Sequence, residues 1–262
     1  MDLGLKGRKA IICASSQGLG LACATSLARE GCLVVINGRK PEKLAAASAA
    51  IRSAVGDTGM SVVTVAADIN TEAGRDRLIA ACPDADILVT NNEGPPPGYI
   101  ADWSHADWLA AFEANMLSAV LMIKGLLPGM RERKFGRIVN ITSAMVKSPH
   151  PMMGLSTAAR AGLTAMCKSL SRDVAADNVT INNLLPERID TDRQRFMAEH
   201  MMGQQKISYE EARARIAATV AAKRFGRPEE FADACTFLCS AQAGFISGQN
   251  LQIDGGSYHG LV

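Results

Sequence analysis

The stretch from Ala10 to Glu30 restricts the fold more than any other part of the chain. Ala10-Ile11-Ile12-Cys13-Ala14 is short and apolar, Ser15-Ser16-Gln17-Gly18-Leu19-Gly20 follows, and Leu21 to Glu30 has the small-residue pattern of a helix. A buried strand, a glycine-bearing turn and a helix in that order build a site for a diphosphate. The helix N-terminus offers unpaired N–H groups and partial positive charge, and glycine lets an anion come close to the backbone. A lone Gly-x-Gly would favour an ordinary strand-to-helix connection, but here the context agrees on both sides. Ser15, Ser16, Gln17, Gly18, Leu19 and Gly20 are the expected contacts to that anion.

Apolar runs of β-branched character recur at Leu33 to Ile36, Ser61 to Ala66, Ile87 to Thr90, Arg137 to Ile141, Val179 to Leu184 and Asn250 to Ile253. Helical patterns lie between them, near 42–55, 71–82, 106–133, 155–176 and 229–240. With the opening strand, this alternation predicts an α/β fold of the Rossmann type. Its doubly wound sheet has seven mostly parallel strands, with helices on both faces. The chain has 262 residues, 48% of them hydrophobic, and no Pro/Gly/Ser-rich linker, so it reads as one domain over 1–262. Residues 190–222, rich in Met, Arg, Gln and Glu, interrupt the alternation. They are expected to form a helical lid over the substrate at the carboxyl edge of the sheet. A solvated helical excursion and a subunit contact are the alternatives.

The formal net charge is +2 with no basic block, which argues against nucleic acid or a membrane surface as partner. No uncharged apolar run is expected to reach the length that crosses a bilayer. Lys6, Arg8 and Lys9 lead straight into a strand, so no signal peptide is expected. The seven cysteines form no CxxC pair and read as small core residues in a reducing cytoplasm. Cys235 and Cys239 share a helix face without a histidine nearby, and no metal site is expected there.

Further along, Thr90-Asn91-Asn92-Glu93-Gly94 follows the fourth strand, the next long helix carries Asn115, and the fifth strand runs into Thr142-Ser143. Together with the opening glycines and the closing Ile253-Asp254-Gly255-Gly256, these segments resemble the short-chain dehydrogenase/reductase family almost end to end. The likeness is greatest to its β-ketoacyl-carrier-protein reductase branch. The resemblance implies a single Rossmann domain, assembled as a homodimer or homotetramer. It implies a hydride moved between NAD(P)H and the alcohol or carbonyl of a small-molecule substrate.

Family roles transfer where the residues match. The first loop fits TGxxxGxG with Cys13-Ala14 in place of Thr-Gly. Alanine disfavours positive φ, so the turn either holds an alanine-compatible shape or is strained. Asn91, Asn92 and Gly94 match NNAG, with Glu93 in place of its alanine, and are expected at the sheet centre and the adenosine side. Asp68 and Ile69 match the pair that meets the adenine. Pro186, Ile189 and Thr191 match the segment near the nicotinamide carboxamide and diphosphate, with Glu187 where glycine is usual. At the end of the second strand, Asn37-Gly38-Arg39-Lys40 holds no acid. A carboxylate there would bind both ribose hydroxyls and repel a 2′-phosphate. Arg39 instead makes charge-assisted bonds to that phosphate and Lys40 adds charge, which predicts NADP(H) rather than NAD(H).

The catalytic pair departs from the pattern. Asn115 and Ser143 stand in family position, as structural relay and oxygen-binding hydroxyl. The resemblance then implies a Tyr thirteen residues after Ser143 and a Lys four beyond it; the chain has Ser156 and Arg160. A serine hydroxyl is a far weaker acid than a phenol, and arginine does not release a proton at neutral pH. General acid catalysis typically contributes ~10²–10⁴ in rate. Lys147 and His150 lie in the intervening loop; the proton is expected first from Lys147, with a pKa lowered beside Arg160, and otherwise from His150 or a water held by Ser143 and Ser156. Two readings follow. One is an NADP(H)-dependent carbonyl reductase or alcohol dehydrogenase with an atypical active site, acting on a small or 3-oxoacyl-type carbonyl compound. The other is a non-catalytic NADP(H)-binding homologue that serves as sensor or structural partner.

Overall fold

The computed structural model describes residues 1–56 and 61–261. In chain order its regular elements begin with β1 (Lys9–Ile12), α1 (Gly18–Arg29), β2 (Leu33–Gly38), α2 (Pro41–Val55), β3 (Val62–Ala66), α3 (Glu72–Ala80) and β4 (Ile87–Thr90). They continue with α4 (His105–Phe112), α5 (Ser118–Glu132), β5 (Gly136–Ile141), α6 (Gly154–Val174) and β6 (Val179–Pro186). The chain closes with α7 (Asp192–Gln205), α8 (Tyr209–Ala218), α9 (Pro228–Cys239) and β7 (Asn250–Ile253). Among the described residues seven strands form one sheet in the order β3-β2-β1-β4-β5-β6-β7, with every pair of neighbours parallel. The order reverses between β1 and β4, so their carboxyl ends diverge and leave the crevice where doubly wound sheets take ligands.

Two-residue periodicity divides the strand side chains between two layers. Ile12, Val34, Ile36, Val89 and Leu184 face the layer that holds α1, α2 and α9. Ile11, Val35, Leu88, Ile138 and Ile181 face the layer that holds α3, α5 and α6. Phe231 of α9 is fully buried against the first layer, which contributes about 1.5–3 kcal/mol. Pro228 at its first turn and Glu229 and Glu230 beside it suit a helix N-terminus.

Arg137 opens β5 and is only 2% exposed. Among the described residues it has no acidic partner and is held by oxygens instead. Its Nε donates to Ser240 O at 3.0 Å, its Nη1 to Gly136 O and Asn178 O at 2.9 Å each, and its Nη2 to Asn178 Oδ1 at 3.3 Å. The guanidinium also lies 4.4 Å from the centre of the Phe135 ring.

One long helix expected over 106–133 is three segments. A π-helical turn, Glu113–Leu117, separates α4 from α5 and carries Asn115. By length and composition alone the continuous run His105–Glu132, which carries charged residues, is long and apolar enough to cross a bilayer. In the fold it lies along the sheet, with Met122, Ile123, Leu126 and Met130 buried in the core. Arg131 and Arg133, at the end of α5, face their own chain. Arg131 pairs with Asp173 and Asp177, and Arg133 donates to Ala85 O.

Helices α7 and α8 fill the interruption at 190–222. They carry a small core of their own, Ala198, Ala212 and Ile216 with Met197, Met201 and Phe225 around it. Arg213 of α8 holds Asp190 by two bonds of 3.0 and 2.9 Å, which fixes the pair to the end of β6.

Candidate active site

The first loop is tied to the strands beside it. Ala14 has φ +43°, so the strained alternative holds, at a cost of about 1–2 kcal/mol. Two bonds fix it there. Its N–H donates to Asn37 Oδ1 at 3.2 Å, and its carbonyl accepts from Asn91 Nδ2 at 3.1 Å. Ser15 is fully buried; its hydroxyl donates to Ile12 O and accepts from Asn37 N. Its side chain is therefore a brace between β1 and β2, which corrects the expected contact to the anion.

Gln17 caps α1 without a side-chain bond to its N–H groups, and no acid lies in the first turn. Those N–H groups are left for an anion. At Gly20 a Cβ would stand 2.6 Å from Ala14 O and 2.9 Å from Ser15 Cα, so glycine alone allows this approach of α1 to β1. Gly18 has φ +59°, and a Cβ there would meet Thr191 Cγ2 at 4.0 Å with open space around it. A groove of about 430 Å³ borders Gln17, Gly18 and Thr191. These residues fit a diphosphate.

On the adenosine side, Asp68 Oδ1 accepts from Asn70 N, and Ile69 is buried in the core. Lys40 is the exposed cap residue of α2. Arg39 is not free to meet a phosphate, since its Nη2 lies 2.7 Å from Glu93 Oε2. Both side chains are exposed, so the pair is worth little energetically but sets where Arg39 points.

The centre of the crevice is built on amides. Asn92 Nδ2 donates to Asn70 Oδ1 at 2.8 Å and to Ala114 O at 2.9 Å, just before Asn115 in the π-turn. Asn115 Nδ2 donates to Glu93 O at 3.2 Å. Its Oδ1 is buried with no partner among the described residues. A polar ladder supports this edge from below. Thr90, Asn140, Asn183 and Asn250 sit at one register across β4 to β7, bonded in series at 2.7, 2.9 and 2.8 Å.

Ser143 follows β5 and its Oγ accepts from Met145 N at 3.2 Å. Ser156 and Arg160 lie one turn apart on α6, both buried. Arg160 Nε donates to Ser156 Oγ at 3.1 Å, and Nη1 donates to Ile141 O at 2.8 Å. Burial pushes the guanidinium down to about 10, and the Arg193 charge adds to this. The cation acting on Arg160 is thus Arg193 at the start of α7, not Lys147. Lys147 Nζ donates to Gln252 Oε1 at 3.3 Å and lies 5.2 Å from the Tyr258 ring centre, which corrects its expected neighbourhood. His150 Nδ1 accepts from Met152 N and caps a turn. Pro186 ends β6, Glu187 N donates to Ile253 O, and Ile189 bridges to Gly226. Burial pushes the Glu187 carboxyl up, with Asp254 contributing.

A family model described as Enoyl-(Acyl carrier protein) reductase matches residues 13–258. The oxidoreductase YvaG of Bacillus subtilis (strain 168) is 32% identical over 260 residues, spanning 98% of each chain. The chain belongs to the short-chain dehydrogenase/reductase family. A second family member, the 3-oxoacyl-acyl-carrier-protein reductase FabG of Haemophilus influenzae, is 31% identical over 255 residues, 97% of this chain and 99% of that one. Among solved members, L-sorbose reductase from Gluconobacter frateurii, determined with NADPH and L-sorbose, superposes with a TM-score of 0.93. It shares 30% sequence identity, and the match covers 100% of both chains. Relative to the family pattern, reading the sequence missed Arg193 and the partner of Arg39. Arg193 carried one usable signal: it lies two residues past Thr191, just beyond the segment already matched.

Proposed function

We propose that this chain is an NADP(H)-dependent oxidoreductase that reduces a small or 3-oxoacyl-type carbonyl compound. In this reading its Ser156–Arg160 pair stands in for the tyrosine and lysine of the family. The observation that carries the reading is the 3.1 Å bond from Arg160 Nε to Ser156 Oγ at the carboxyl edge of the sheet. It engages a lone pair of Ser156 and leaves the hydroxyl proton to donate outward. The Ser143 oxygen likewise accepts from its own turn and keeps its proton. Two hydroxyl donors, one polarised by a guanidinium, stabilise negative charge on a carbonyl oxygen by hydrogen bonding. The proton that neutralises this oxygen comes from a water held by Ser143 and Ser156.

Gly18, Gly20, Arg39, Asn91 and Thr191 hold the cofactor, which when bound supplies the hydride. Arg39 reads the 2′-phosphate after parting from Glu93. Glu93→Ala is expected to tighten NADPH binding about three- to tenfold by releasing Arg39. Arg39→Ala is expected to bring NADPH and NADH to similar affinity. Calorimetry on both variants checks this, and equal affinities in the wild type would sink the assignment.

A site without a phenol has its own pH signature. Arg160 keeps its proton until about 10, so kcat/KM is expected to stay level from neutrality to about pH 9 and to fall only above that. A falling limb with its midpoint below about pH 8 would instead assign proton delivery to a titrating side chain such as Lys147. The lid reading of α7 and α8 rests on their separate small core and their tether at Asp190.

A non-catalytic NADP(H) binder, serving as sensor or partner, is the second reading, favoured by Ser156 and Arg160 where the family has its tyrosine and lysine. NADPH binding without turnover across a broad carbonyl panel would establish it. We place the protein in the cytoplasm, where its seven buried free thiols suit a reducing environment. A homodimer or homotetramer is expected, since Leu109 and Leu117 expose apolar surface on the helical run that holds Asn115. Sedimentation at micromolar concentration checks it; a monomer there contradicts it.

A further inference from the structure

Arg160 is 8% exposed and has no acidic partner among the described residues. Two of its nitrogens are bonded, Nε to Ser156 and Nη1 to Ile141 O. The third, Nη2, makes no hydrogen bond among the described residues and stands beside Gly94, 3.7 Å from where a Cβ would be. Arg160 and Asn115 also line one small cavity of about 10 Å³. Arg193, from the first turn of α7, comes to the same segment, its Nη2 3.5 Å from Pro95 O. Two guanidinium groups therefore flank Gly94 and Pro95. The acid that acts on Arg193 is Glu93, and Glu93 is held by Arg39. Arg160 and Arg193 thus have, among the described residues, only a carboxylate that acts on Arg193 and is already engaged by Arg39, which leaves an uncompensated charge in a partly desolvated site. A bound anion relieves it, and guanidinium nitrogens suit a carboxylate.

We infer that the substrate is a carbonyl compound that also bears a carboxylate, held between Arg160 Nη2 and Arg193. The inference rests on the oxidoreductase reading above and narrows its substrate class. Arg193 belongs to the helical stretch that interrupts the sheet alternation, so the anion also ties α7 to the crevice. The carbonyl of the same molecule then lies toward the Ser156 hydroxyl, which shares Arg160 with the carboxylate.

The test is calorimetric titration of the NADP⁺-loaded protein with pyruvate and acetoacetate, each against its neutral methyl ester. The wild type is expected to prefer each acid about tenfold or more, the range of a hydrogen bond to a charged group. Arg193→Gln, at a half-exposed position, is expected to bring acid and ester to parity with NADPH affinity little changed. Arg160→Gln is the second variant, its fold checked by circular dichroism. Equal binding of acid and ester by the wild type overturns the proposal, as does an undiminished preference in Arg193→Gln. A loss of NADPH affinity in Arg193→Gln with acid preference intact gives the cations to the cofactor diphosphate and overturns it too. Selective binding of the acids without reduction of either upholds the anion site and defeats the oxidoreductase reading. Reduction of esters as fast as acids does the reverse.

Discussion

Ser156→Tyr combined with Arg160→Lys is expected to raise reduction of a neutral ketone by NADPH about 10²-fold or more. The pair sits one helical turn apart on α6 and is joined by the Arg160 Nε bond to Ser156 Oγ, so the phenol and the ammonium would occupy neighbouring positions. A phenol gives up its proton far more readily than a serine hydroxyl, and a lysine beside it favours the phenolate that results. The double variant also removes the buried guanidinium, so Ile141 O must find the lysine instead. Steady-state turnover and NADPH titration, measured together, decide the matter. A folded double variant that binds NADPH and gains nothing would mean that proton supply does not limit the wild type. The same experiment on a carboxylate-bearing ketone is expected to gain less, because Arg160 Nη2 is lost with the old pair.

Arg137→Ala is expected to be the most destabilising single change in the chain outside the crevice. The substitution takes the side-chain donor from the buried carbonyls of Gly136 and Ser240 and from Asn178 O, which keeps the Gly136 N–H at 3.2 Å. Unsatisfied buried acceptors and a lost aromatic contact together amount to about 3–5 kcal/mol. For a domain of this size that corresponds to a fall in Tm of roughly 10 °C. NADPH affinity measured well below the new Tm is expected to be unchanged, since Arg137 lies at the amino end of β5, away from the crevice. A shift below about 3 °C would show that water or a repacked side chain satisfies those carbonyls.

The sheet and its helices were legible because the apolar periods alternate with few interruptions, and the strand ends agree within a residue or two. The glycine turn was legible for the same reason, since local contacts decide it. What escaped depended on residues distant in sequence. Nothing between Ala106 and Arg133 announces a π-turn, because each residue there tolerates an ordinary helix; the side-chain bonds of Asn92 and Asn115 accompany it instead. Arg39 showed its charge but not its engagement by Glu93, which lies fifty-four positions further on. Lys147 was placed by nearness to Ser143 in sequence, whereas the loop carries its amine to β7. The asparagines that join β4 to β7 looked like strand-end polar residues, and their common register emerges only when the strands pair.

The π-turn at Glu113–Leu117 makes residue count a determinant in its own right. An α-helix advances about 100° per residue, and a π-turn absorbs one residue beyond what the regular ladder needs. The apolar stripe of α5 and the contacts of α4 with α6 are therefore set in different phases of one continuous rod. Removing any one residue from this turn would let the helix run regularly and would rotate α4 by that angle about its axis. Trp108 would swing away from its edge-on contact with Trp103, and Asn115 would leave the crevice without a single side chain having been altered in kind. Here the spacing, more than the letters, is what lineages of this chain must keep.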